Sequence, residues 1–141
     1  MSGAECWIRA ADLSDAPDLA VLMSELGYET KGTEMEARLK LIFSNPAYKT
    51  FVAIMDGCVC GMIGTLTYPS YEHNDASGRI LALVTSSTAR RRGIGRALVA
   101  TAEKDFAQRG IRRVSWIHGL LEKMPTSFIS CSVTSETDGD L

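Results

Sequence analysis

The sequence predicts an α/β domain, a sheet flanked by helices in the order β-α-α-β-β-β-α-β. Three observations carry this. Apolar residues recur at helical spacing in two early segments and one later one. Asp56-Gly57, a strong hairpin signal, separates two strand-like runs. The apolar run from Ile80 to Thr85 suits a strand covered on both faces, and a glycine-containing turn and a further helix follow it.

Cys6 to Ala10 reads as a short first strand. Asp12 to Asp18 is rich in capping residues, and Pro17 suits a first helical turn. Leu19, Leu22, Met23 and Leu26 form that helix's apolar stripe, and Gly27 is its stop. Thr33 and Glu36 have capping-box spacing for a second helix. Met35, Leu39 and Ile42 face its core side, and Pro46 lies just beyond its end. Thr50 to Met55 and Val59 to Thr67 are the hairpin strands, and Tyr68 to Gly78 reads as a polar loop. Ala97, Leu98, Thr101, Ala102 and Phe106 line the third helix, Gly110 ends it, and Val114 to Ile117 is the next strand.

The chain has 141 residues, enough for one domain with a core. Fifteen basic residues face 17 acidic ones, which argues against a surface built throughout for nucleic acid. Met1 to Ala11 lacks a signal-peptide pattern, and no run approaches the roughly 18 apolar residues of a membrane span. A cytoplasmic protein without membrane or nucleic-acid partners is the expectation. Cys6, Cys58, Cys60 and Cys131 read as buried thiols acting as small hydrophobes. The only histidines are His73 and His118, so no metal is expected.

The segment that carries chemistry is Arg90-Arg91-Arg92-Gly93-Ile94-Gly95. It follows the apolar strand and opens the third helix. Backbone N–H groups in a helix's first turn lack partners and carry partial positive charge. Glycines let an anion approach them, and arginines add charge-assisted hydrogen bonds. The pattern suits a pyrophosphate. It is not a Walker A loop, and Leu98 stands where a dinucleotide-binding fingerprint needs a small residue.

R-x-x-G-x-G in this context resembles motif A of the GNAT N-acetyltransferases, [QR]-x-x-G-x-[GA]. The early helices and the Asp56-Gly57 hairpin match too, so the resemblance spans about residues 7–116. It implies a mixed sheet and an enzyme that moves acetyl from acetyl-CoA to an amine by direct attack. It implies that Leu83, Val84, Arg90, Arg91, Arg92, Gly93, Ile94, Gly95 and Arg96 hold acetyl-CoA. A backbone N–H near Leu83 or Val84 would polarise the thioester carbonyl. A family glutamate on the strand before motif A has no counterpart here. The base stays unassigned, with Glu25 and Glu72 candidates by region only. Tyr28, Tyr68 and Tyr71 fall in segments that border the acceptor pocket in relatives. The acceptor is a small molecule or a protein amine.

After Trp116 the resemblance stops. Relatives continue with D-A-x-x-F-Y-x-x-x-G-[FY], a segment that often supplies a tyrosine to protonate the leaving thiolate. Joining the last base of each codon to the first two of the next, Met124-Pro125 must read alanine. The same shifted frame permits D-A-H-x-F-Y-x-x-L-G-Y at the family's spacing. The tail therefore reads as a frameshift product, with a divergent natural tail the alternative. The expected organisation is an acetyl-CoA-binding domain over 1–117 and an atypical, poorly ordered tail over 118–141, without the family's last helix and strands. Such a tail leaves the strand at Val114 as an exposed edge, open to pairing in a homodimer. Two competing readings follow. One is a coenzyme A-binding domain with impaired or no catalysis. The other is a regulatory module binding nucleic acid through Arg90 to Arg92, Arg96, Arg109, Arg112 and Arg113.

Overall fold

The computed structural model describes residues 6–89 and 93–117. The expected tail over 118–141 and the arginines at 90–92 lie outside the described residues. The elements are β1 (Cys6–Ala10), α1 (Ala16–Leu26), α2 (Gly32–Phe43), β2 (Tyr48–Met55), β3 (Cys58–Tyr68), β4 (Ser77–Thr85), α3 (Ile94–Gln108) and β5 (Arg113–Trp116). This is the predicted order. The sheet runs β1-β2-β3-β4-β5, antiparallel except for the parallel β4–β5 pair. Among the described residues, no helix is long and apolar enough to cross a membrane.

Two apolar clusters hold helices to opposite faces. On one face Leu19, Leu22, Met35 and Leu39 pack against Val52, Ile54, Met62 and Val84. On the other Ile94, Leu98, Ala102 and Phe106 of α3 pack against Ile63, Ile80, Leu83 and Val114. Alternation along each strand feeds both faces, which is why these strands read as nearly continuous apolar runs.

Local chemistry sets the element ends. Asp56 and Gly57 both take positive φ (56° and 79°), as a two-residue hairpin turn needs. Gly27, at φ 117°, closes α1. Its N–H donates to Ser24 O at 3.1 Å while Tyr28 N–H donates to Met23 O at 2.9 Å. Ahead of α1, Asp15 takes two bonds from the Arg9 guanidinium, at 2.8 and 2.9 Å, and one from Asp12 N–H at 2.8 Å. These bonds pin the start of α1 to β1. The Arg9 bonds hold the Asp15 carboxyl below its ordinary range.

The structure differs from expectation at four places. α2 starts at Gly32, and Glu34, not Glu36, accepts the Lys31 N–H at 2.8 Å. The buried stripe of α3 includes Ile94 and Val99, while Ala97 and Thr101 are half-buried. Cys60 is buried, but Cys58 is exposed at the start of β3. β4 begins at Ser77, inside the segment read as loop, and Gly78 explains it. A methyl there would lie 2.6 Å from Phe106 Cε1, so the polar-looking start of the strand is where α3's largest ring seats.

Candidate functional site

β4 is the element on which the site is built. Its pairing with β5 covers Ser77 to Ile80 and ends at Ile80–Trp116, with Ile117 N–H donating to Ile80 O at 2.9 Å. A bulge follows: Gly64 pairs with Ala82 and Thr65 with Ile80, leaving Leu81 without its own opposite residue. From there to Thr85, β4 has β3 on one side and no strand on the other among the described residues.

Hydrogen-bond alternation says which backbone groups face that open side. Ser86 N–H donates to Cys60 O of β3 at 2.8 Å. No bulge interrupts the register from Ala82 to Thr85, so Val84 and Ala82 turn the same way, into the ladder. The N–H and C=O groups of Leu83 and Thr85 therefore face the open edge. Of the two strand residues named from the sequence, Leu83 presents its backbone there and Val84 spends its own on β3. Thr85 joins Leu83 on that edge. Sequence reasoning missed it, although its two-residue spacing from Leu83 is the signal that finds it.

The first turn of α3 follows closely. Gly93, at φ 78°, is the residue before the helix, and no side chain of the described residues caps the end. Ala97 N–H donates to Gly93 O at 3.0 Å. The amides of Ile94 and Gly95 precede that ladder and have no helical acceptor. The Ile94 side chain is buried in the core, so only its backbone can face a ligand. Gly61 holds this end of the helix against the sheet. A methyl on it would lie 3.1 Å from both Ile94 Cγ2 and Leu98 Cδ1. Gly93 to Arg96 are thus described residues of one helix start, and the arginines at 90–92 precede them in sequence, outside the described residues.

The other candidates disperse. Glu25, on α1, accepts the Ser87 N–H at 2.9 Å and so ties α1 to the turn between β4 and α3. Glu72 accepts from Ser70 in the loop that enters the opposite end of β4. Tyr28 and Tyr71 are exposed, and Tyr68 is half-buried at the end of β3, under the Arg79 guanidinium. Arg109 and Arg113 are ion-paired with Asp105 (2.5 Å) and Asp75 (2.8 Å). Both guanidinium charges named for the nucleic-acid reading at these two positions are thus paired within the fold. The Arg113 bond holds the exposed Asp75 carboxyl below its ordinary range.

An open strand edge and a helix start whose first amides lack helical acceptors can hydrogen-bond an extended, phosphate-bearing ligand. A family model described as the acetyltransferase (GNAT) family matches residues 16–124. The chain belongs to the GNAT acetyltransferase family. The match starts later than the resemblance read from the sequence and runs past Trp116. Among solved structures, a GNAT family acetyltransferase from Staphylococcus aureus subsp. aureus is 27% identical, with a TM-score of 0.76 over 96% of this chain and 98% of that one. A Trypanosoma brucei acetyltransferase, 19% identical, has a TM-score of 0.77 over 97% of this chain and 99% of that chain. A Bacillus halodurans protein described as a transcriptional regulator, 18% identical, has a TM-score of 0.82 over 97% of each chain. The last two show that the GNAT fold is shared, and the pair of descriptions shows that the fold alone does not name a substrate.

Proposed function

We propose that this chain is an N-acetyltransferase that takes acetyl from acetyl-CoA and passes it to an amine. The observation that carries the reading is the edge of β4 at Leu83 and Thr85, which no strand covers among the described residues, followed in the chain by the start of α3. Acetyl-CoA supplies an acetyl thioester whose carbonyl carbon an amine can attack. Leu83 N–H would donate to the thioester carbonyl oxygen, and its donation strengthens as charge develops there. Thr85 would align the pantetheine amides as a neighbouring strand aligns its partner. Ile94 and Gly95 N–H, with Arg90, Arg91 and Arg92, would hold the pyrophosphate. The acceptor must reach the carbonyl as a neutral amine, so its proton leaves to a base or an ordered water.

Acetylation of a panel of amines, followed by free thiol release, tests the reading. Turnover that needs acetyl-CoA and is lost in Gly95→Asp supports it, because a carboxylate there meets the phosphates with like charge. Turnover unchanged in a folded Gly95→Asp protein contradicts it. Tight acetyl-CoA binding with no turnover on any amine would favour a coenzyme A-binding domain instead.

A further inference from the structure

Four arginines of the described residues are half-buried: Arg9, Arg79, Arg109 and Arg113. Three have a carboxylate partner, respectively Asp15, Asp105 and Asp75. Arg79 has none within ion-pair distance among the described residues. It is nevertheless held in place: Nε donates to Ser115 Oγ at 3.2 Å, and the guanidinium carbon lies 5.7 Å from the centre of the Tyr68 ring. Those contacts leave the two terminal nitrogens of the guanidinium without a partner among the described residues. An arginine loses much rotamer freedom when fixed this way, and no carboxylate of the described residues offsets the cost.

Its place in the fold gives the vacant donors a use. Arg79 precedes Ile80, the last β4 residue paired with β5, so it stands where the two strands part. Ile80 packs toward α3, and alternation sends Arg79 to the opposite face. On that face Ala82 and Val84 are covered by α1 and α2. Arg79 comes next along the row, half-buried at the margin of that cover.

We infer that Arg79 selects acceptors that carry a carboxylate set back from the reacting amine. This rests on the acetyl-transfer reading, which puts the attacked carbonyl at Leu83. Leu83 lies four positions beyond Arg79, at most about 13 Å along the strand, because the bulge at Leu81 shortens the advance. The matching acceptor spans roughly 10 to 15 Å between nitrogen and anion, the reach of three or four extended residues. The planar fork of donors suits a carboxylate better than a point cation would.

Matched acceptors test this: a short peptide and an aminoalkyl compound, each with a carboxylate at that span, and the carboxamide counterpart of each. Affinity for the coenzyme A-loaded protein is measured by calorimetry, and acetylation rates are measured in parallel. The carboxylate form of at least one pair is expected to bind about tenfold more tightly than its carboxamide. Whichever pair responds identifies an acceptor of that size, and either supports the inference. Arg79→Gln should erase the preference while leaving carboxamide and acetyl-CoA affinity within about twofold, and Arg79→Glu should reverse it. Equal binding of carboxylate and carboxamide to the native protein overturns the inference. So does an Arg79→Gln variant that weakens both forms alike while acetyl-CoA binding is unchanged. Failure of acetyl-CoA itself to bind refutes the acetyl-transfer reading, and this one falls with it.

Discussion

Asp15 shows how much one carboxylate can organise. It is buried, and both its oxygens are bonded, to Arg9 and to the Asp12 amide. Its depressed pKa, caused first by the Arg9 bonds, sets the sign of a pH effect. The stability it contributes is full above the unfolded carboxylate value, about 3.9, and is lost as pH falls through the lower folded value. Asp15→Asn should cost roughly 1.5–3 kcal/mol at neutral pH in urea unfolding, and the gap from the native protein should close on acidification below about pH 4. A gap independent of pH would mean the ion pair is not its source. Thr65 offers the converse case. Its hydroxyl is buried without a partner among the described residues. Thr65→Val keeps the shape and removes the unbonded group, so stability should hold or rise by up to about 1 kcal/mol. A loss of that size would reveal a hidden partner for the hydroxyl.

Among the elements, β4 and α3 make the candidate site together, and Gly61 lets them pack closely from β3. Its missing side chain lets Ile94 and Leu98 lie against the sheet, which fixes where the first amides of α3 stand. Gly61→Val should push this end of α3 outward. Acetyl-CoA affinity should fall about tenfold or more, together with a stability loss of roughly 1–3 kcal/mol from overpacking. Unchanged affinity in calorimetry would show that helix placement is not limiting. The same elements show where sequence patterns succeed. Helical periods and the Asp56-Gly57 turn were readable because local residues decide them. The start of β4 was not, because Ser77 and Gly78 look like loop residues until β5 supplies partners. Ser77 Oγ accepts from Arg113, and Arg79 donates to Ser115. The second helix's cap was misread because two acidic residues, Glu34 and Glu36, lie within reach of different starts, and only the path of the loop before Gly32 decides between them.

At the scale of the whole molecule, the order of elements follows from local pattern, whereas the site depends on long-range register. The bulge at Leu81 decides which face each β4 residue takes, and no local pattern announces it. Hence Leu83 was legible as a candidate from the family resemblance, while Thr85, on the same open edge, emerged only from the strand alternation. The motif after β4 keeps its meaning: it marks the helix start toward which the open edge runs. In the proposed reading, this edge and this helix start hold acetyl-CoA as one continuous surface. Backbone amide NMR during titration with acetyl-CoA reads out each of these groups. Large shifts are expected for Leu83, Thr85, Ile94 and Gly95, with Ala82 and Val84, bonded into β3, moving far less. Saturable binding that leaves Leu83 and Thr85 unmoved, or that shifts Val84 as strongly, would contradict it.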